Sequence, residues 1–126
     1  MFSHIVLGAD DIPKAKTFYD AIFKALGRKE GNQTPDGSRV IYHEEDGILM
    51  ITHPFNGEAA THANGGTIGF AAPSPEAVDA FHKAGLAAGG TDEGAPGPRP
   101  AIPGSYGAYL RDPTGNKLVA WCMKGA

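Results

Sequence analysis

Residues 4–31 and 67–94 of this 126-residue chain resemble each other in their sequence of apolar, charged and glycine positions. The aligned pairs include Phe18 with Phe81 and Gly27 with Gly90. A second match pairs the Gly-Ser dipeptide at 37–38 with the one at 104–105. A repeat of this length in a domain-sized chain predicts two similar structural units within one domain, residues 1–60 and 64–126.

The sequence of the first unit predicts a strand, a helix and three further strands. Residues 2–7 are β-branched and apolar, which is typical of a strand. A helix follows, capped by Asp10 or Asp11, with Pro13 in its first turn and Gly27 at its end. A short polar strand around residues 29–33 precedes strands at 39–43 and 48–52, which an Asp-Gly turn joins as a hairpin.

The second unit repeats this order. Residues 67–71 predict a strand, and Ser74 begins a helix whose apolar face comprises Val78, Phe81 and Leu86. The Pro- and Gly-rich stretch 93–105 predicts an edge strand leading into a long loop, because prolines lack the donor that a central strand needs. Strands at 106–111 and 117–123 complete a βαβββ module. The sequence therefore predicts an α+β fold of two such modules.

Composition excludes several classes of function. The net charge is −3 and no run of basic residues occurs, so we expect no nucleic-acid partner. The longest apolar stretches are strand-sized, so we expect no membrane span. A strand begins near Met1, which leaves no room for a signal peptide, and the chain has a single cysteine, Cys122. These features predict a cytoplasmic protein.

The last strand is apolar on both of its faces. Leu118, Ala120 and Cys122 alternate along it with Val119 and Trp121. One row should therefore pack on the helices, and the other should line a cavity. By the same alternation His4 and Thr67 should point into that cavity, if their strand neighbours pack on the helices. A mostly apolar cavity with a few polar groups suits a small organic ligand.

The segments "FSHIVLGADDIPKAKTFYDAIFKALG" and "YGAYLRDPTGNKLVAWC", with the duplicated βαβββ plan, resemble the vicinal oxygen chelate superfamily. That superfamily includes glyoxalase I, the bleomycin- and fosfomycin-resistance proteins and the extradiol dioxygenases. The resemblance implies that the modules form curved mixed sheets around a cavity. It also implies a divalent metal held by side chains of the first and fourth strands of each module. Those four positions are here His4, Met50, Thr67 and Val119.

Only one of these four positions keeps a side chain typical of a metal ligand. Met50 and Val119 offer no nitrogen or oxygen donor, and neutral Thr67 is a poor ligand, whereas a catalytic zinc commonly has three protein ligands. We therefore expect no metal or other cofactor, unless this assignment of ligand positions is wrong. His4 is left as the best catalytic candidate, either as an acid–base group or as a ligand contact.

Three further residues are candidates for ligand contact. Arg99, in the Pro-rich loop, could pair with a ligand carboxylate or could simply be solvated. Tyr106 and Tyr109 are three residues apart on one strand, so their side chains face opposite sides of the sheet and at most one lines the cavity. Trp121 belongs either to the pocket floor or to the core. The predicted ligand-binding set comprises His4, Met50, Thr67, Arg99, Tyr106, Val119 and Trp121.

Three hypotheses for function follow. The first is a metal-free protein that binds a small hydrophobic or aromatic molecule, like the bleomycin-resistance branch. The alternative is an enzyme: a glyoxalase-like lyase or isomerase, or a relative of the dioxygenases, with an unrecognised metal site or a metal-free use of His4. The third is a degenerate paralogue that retains only a role in assembly. The resemblance also implies a homodimer.

Overall fold

The computed structural model describes residues 1–123 as two helices and eight strands. The first module comprises β1 (Ile5–Gly8), α1 (Ile12–Ala25), β2 (Asn32–Gln33), β3 (Arg39–Glu44) and β4 (Gly47–Thr52). The second comprises β5 (Ile68–Ala71), α2 (Pro75–Ala87), β6 (Thr91–Pro98), β7 (Tyr106–Arg111) and β8 (Lys117–Cys122). Within residues 1–123, neither helix has the length and apolar character needed to cross a membrane.

Each module folds into one four-stranded mixed sheet. The strand orders are β1-β4-β3-β2 and β5-β8-β7-β6. The pairs β1 with β4 and β5 with β8 are parallel, and all other neighbouring strands are antiparallel. The predicted α+β fold of two βαβββ modules is confirmed. Strand β6 lies at a sheet edge, as predicted, and its register with β7 shifts twice, where its prolines and glycines interrupt regular pairing.

The helices begin and end at the residues that favour such positions. The Asp11 side chain accepts from the backbone N–H of Lys14, and the Ser74 side chain accepts from that of Ala77. Gly27 follows α1 with a φ of +79°, a conformation that an L side chain rarely adopts.

One prediction for α2 is wrong. Leu86 is 42% exposed, whereas Gly85 is buried beside Val78 and Phe81. A Cβ atom at Gly85 would meet the side chains of Leu110 and Ile22. The absence of a side chain at Gly85 therefore allows α2 to approach α1 and β7 closely, and this rotates Leu86 out of the core.

The two modules join through their helices. Helices α1 and α2 pack against each other, and a single cluster of buried apolar side chains draws on both modules. Ile5 and Leu7 of β1, and Ile68 and Phe70 of β5, pack against this cluster. The face of each sheet that carries these residues therefore turns toward the shared core, and the opposite face turns away from it.

A buried polar cluster also ties the modules together. The Asp112 carboxylate accepts from the Tyr19 hydroxyl at 2.5 Å and from the backbone N–H groups of Thr114, Gly115 and Asn116 at 2.9 Å each. The Asn116 side-chain amide donates to Asp112 at 2.9 Å and to the carbonyl of Gly8 at 3.2 Å. One turn of the second module thus contacts both α1 and β1.

Two buried phenols make the stability of the fold sensitive to alkaline pH. Burial, with the neighbouring Asp112 carboxylate, raises the pKa of Tyr19 well above its usual value of 10.0. Burial, with a hydrogen bond to Asp20, likewise raises the pKa of Tyr42. A phenol whose pKa is raised on folding stabilises the folded state below the unfolded pKa, and this contribution declines as the pH rises above it.

We therefore expect the free energy of unfolding to fall above pH 10, by up to about 1.4 kcal/mol per pH unit for each of the two phenols. Urea unfolding at pH 8 to 11.5, followed by circular dichroism, would measure this. Tyr19→Phe and Tyr42→Phe should each flatten the decline. A wild-type profile that is level between pH 10 and 11.5 would contradict the account.

Candidate functional site

The faces that turn away from the shared core carry the candidate site residues, and we call them the outer faces. Val6, Ile41, Ile48 and Met50 lie on the outer face of the first sheet, because they alternate with buried or core-packed residues of their strands. Tyr109, Val119 and Trp121 lie on the outer face of the second sheet by the same alternation. Both faces are rich in apolar side chains.

The four positions that resemble metal-ligand positions divide between the two sheets. His4 and Met50 belong to the first sheet, because Met50 pairs with Val6 of β1 and His4 lies two residues before Val6. Thr67 and Val119 belong to the second sheet, because Val119 pairs with Gly69 of β5 and Thr67 lies two residues before Gly69. His4 and Thr67 lie just outside their strands and are exposed.

The side chains at these positions do not fit a divalent metal. The His4 imidazole lies 2.8 Å from the hydroxyl of Ser3, and its three counterparts are a thioether, a hydroxyl and an isopropyl group. No group of three or more His, Cys, Asp or Glu side chains that could hold a metal ion occurs among residues 1–123. A catalytic zinc or a magnesium ion needs several nitrogen or oxygen donors, which this set does not supply.

The outer face of the second sheet forms an open groove instead. Val119, which is 7% exposed, lies directly across from Tyr109, and Trp121 lies across from Gly107. A Cβ atom at Gly107 would lie 3.0 Å from the indole, so this glycine makes room for the Trp121 ring. The groove has a volume of about 620 Å³, and its lining includes Gly69, Ala71, Pro73, Val119, Trp121 and Met123.

Of the two tyrosines, Tyr109 is on the outer face and Tyr106 is not. The Tyr106 hydroxyl donates to the Asp79 carboxylate of α2 at 2.7 Å, and its ring packs against the core cluster. Tyr106 belongs to the predicted ligand-binding set, but the structure places it on the other side of the sheet from Val119 and Trp121, because strand β7 turns its even-numbered residues toward α2. Tyr109 lies on their side instead.

Arg99 lies close to the same face. Its guanidinium carbon is 5.4 Å from the centre of the Tyr109 ring, and the ammonium nitrogen of Lys117 is 5.1 Å from that centre. Lys117 is absent from the predicted ligand-binding set, although it lies on the outer face of β8. Its spacing of two from Val119 along the strand could have identified it.

A second cavity lies between the modules and is lined by residues of both sheets. It has a volume of about 320 Å³ and is lined partly by the apolar residues Ile5, Phe23, Leu49, Ile68 and Phe70. Its rim includes Arg28 and Asp46, whose side chains form a bidentate ion pair at 2.7 and 2.8 Å. Two of its lining residues, Phe23 and Phe70, are in edge-to-face contact, with ring centres 5.0 Å apart.

Comparison with known proteins agrees with this architecture. The family model of the Glyoxalase/Bleomycin resistance protein/Dioxygenase superfamily matches residues 1–120. The chain belongs to this superfamily. Among curated proteins, no sequence gives a significant match.

Solved structures of the same superfamily share this fold. A glyoxalase/bleomycin resistance protein from Albidiferax ferrireducens T118 is 50% identical, with a TM-score of 0.88 over 96% of this chain and 97% of that one. A lactoylglutathione lyase from Agrobacterium tumefaciens is 26% identical, with a TM-score of 0.66 over 96% and 92% of the two chains. A family enzyme from Burkholderia phytofirmans PsJN, 18% identical, shares the fold with a TM-score of 0.71 over 94% and 95%.

Proposed function

We propose that this chain is a metal-free cytoplasmic protein that binds a small hydrophobic or aromatic molecule on the outer face of its second sheet. The observation that carries the proposal is the set of side chains around Val119. A buried isopropyl group stands where the family resemblance places a metal-ligand side chain, and an indole lies beside it in an open groove. Such a surface favours binding of apolar groups and offers no anchor for a Lewis acid.

We further propose that the protein acts as a homodimer in which the outer faces of two chains meet. Val6 is 47% exposed and Met123 is 54% exposed, so apolar surface on both outer faces is in contact with water. Pairing the first sheet of one chain with the second sheet of another would bury this surface. It would also bring His4 and Met50 of one chain close to Thr67 and Val119 of the other, around one ligand.

The experiment is elemental analysis of protein purified without an affinity tag, with its mass measured by sedimentation. We expect a dimer with a metal content well below one ion per chain. The double variant Thr67→His/Val119→Glu supplies two donors that the proposed dimer would bring close to His4 of the other chain. In the presence of Zn²⁺, Ni²⁺ or Mn²⁺ it should bind about one ion per chain. The matched control Thr67→Asn/Val119→Gln has similar side-chain sizes and should bind none.

Ligand binding is measured on the same protein through its single tryptophan. The neutral amide 4-phenylbutanamide should change the fluorescence of Trp121 saturably. Stoichiometric metal in the native protein would contradict the proposal. It would favour an enzyme related to the lactoylglutathione lyase with which this chain shares 26% identity.

A further inference from the structure

Two cations converge on one aromatic ring at the edge of the groove. The Arg99 guanidinium carbon and the Lys117 ammonium nitrogen lie 5.4 and 5.1 Å from the centre of the Tyr109 ring. Arg111, the third cation of this sheet face, donates to Glu93 at 2.8 Å and is neutralised by it. Among residues 1–123, neither Arg99 nor Lys117 forms an ion pair with a carboxylate.

The irregular strand β6 holds the Arg99 side chain in place. Its guanidinium donates to the backbone carbonyls of Ala95 at 2.8 Å and Gly97 at 3.0 Å, with a longer contact to Pro98 at 3.4 Å. Cβ atoms at Gly94 and Gly97 would lie 3.2 and 3.5 Å from the guanidinium nitrogens, so the two glycines leave the space that the side chain fills. A guanidinium has five N–H donors, and three of them are used in these contacts.

The apolar part of the groove adjoins this pair of cations. Tyr109 lies directly across from Val119, and Lys117 precedes Val119 by two residues on the same face. Positive charge held over an aromatic ring is stabilised by that ring but remains able to accept an anion. The face thus combines a net positive end, at Arg99 and Lys117, with an apolar end at Val119 and Trp121.

We propose that the ligand of this groove is a small carboxylic acid with an aromatic or alkyl body, whose carboxylate pairs with Lys117 and Arg99 while its body lies on Val119 and Trp121. This inference rests on the proposed function, because it names the class of ligand bound at the same face. A carboxylate is favoured because a guanidinium and an ammonium both donate charge-assisted hydrogen bonds to it.

The test compares an acid with its amide of the same shape. Trp121 fluorescence, excited at 295 nm, is titrated with 4-phenylbutyrate and with 4-phenylbutanamide at pH 7.5, using the full-length protein. We expect the acid to bind about tenfold more tightly than the amide, since charge-assisted hydrogen bonds are the stronger kind. Raising the salt concentration should reduce this preference.

Lys117→Gln is the principal variant, because Lys117 holds no strand segment in place. It should weaken binding of the acid to within about threefold of the amide. Arg99→Gln should act in the same direction. The matched control is Lys83→Gln on the exposed surface of α2, which makes the same change of charge and should leave the preference intact.

The outcomes separate this inference from the proposal on which it rests. Saturable binding of the amide with no preference for the acid overturns the carboxylate inference and leaves the apolar binding function standing. A preference that survives both Lys117→Gln and Arg99→Gln also overturns it. If neither compound changes the fluorescence at millimolar concentration, the proposed function fails together with the inference.

Discussion

Asp112→Ala should lower the free energy of unfolding by about 3–4 kcal/mol. The Asp112 carboxylate is buried and accepts five hydrogen bonds, one from Tyr19, three from the backbone of its own turn and one from the Asn116 amide. Its removal leaves several buried donors without an acceptor, and each such donor costs free energy. Because the same turn contacts α1 and β1, we expect the loss to weaken the junction between the modules. Urea unfolding followed by circular dichroism would measure it.

Asp36 provides a matched control. Its carboxylate organises a turn in a similar way, accepting from the hydroxyl groups of Thr34 and Ser38 and from the backbone N–H of Ser38. It is fully exposed, however, so water replaces the lost acceptor in Asp36→Ala, and we expect no measurable change in stability. Equal effects of the two substitutions would show that local turn geometry, rather than the buried contact with Tyr19, makes Asp112 important.

Most of the fold could be predicted because its signals are local and repeated. The caps at Asp11 and Ser74 and the alternation along β8 each depend on residues within a few positions of one another. The internal repeat then fixed the order of elements, because each module supports the interpretation of the other. The failure at Leu86 has the opposite origin. Whether Gly85 or Leu86 faces the core depends on Leu110 and Ile22, which lie far away in the sequence.

Only those features of the candidate site that follow from the alternation of side chains along a strand could be predicted. Alternation placed Val119 and Trp121 together, and it limited the choice between Tyr106 and Tyr109 to one of the two. It could not decide between them, because that choice depends on the contact of Tyr106 with Asp79 of α2. The approach of Arg99 to Tyr109 was equally inaccessible, since it follows from how the irregular strand β6 bends.

The outer faces explain why one fold can keep its core while its site changes. The core side of each sheet is fixed by the helices and by the Tyr19–Asp112 contact, and none of the four positions that resemble metal-ligand positions lies on that side. A substitution at position 119 therefore exchanges one outer-face side chain without repacking the shared core. The candidate site and the buried core of this chain lie on opposite faces of the same strands.

Gly90→Ala should destabilise the fold by about 2–3 kcal/mol, although it adds only one methyl group. Gly90 lies where α2 passes into β6, and a Cβ atom there would meet the carbonyl oxygens of Arg111 and Gly85 at 2.9 Å each, with the Phe18 ring also in the way. Both oxygens belong to the backbone, so relief requires a shift of β7 or of α2 rather than a rotation of a side chain. The substitution is free of left-handed strain, since Gly90 has no positive φ.

Gly47→Ala is the control for this effect, because Gly47 also has no positive φ and a Cβ atom there meets nothing within 4 Å. Alanine restricts the unfolded chain in both variants, which favours the folded state by up to about 1 kcal/mol. That contribution is common to both sites, so the difference in the free energy of unfolding between the two variants measures the cost of the steric clash at Gly90. Urea unfolding of the pair would measure it, and equal stabilities would mean that the junction of α2 with β6 is loosely packed. A large difference would show that the second module depends on close backbone contact at Gly90, where its helix meets the sheet that carries the candidate site.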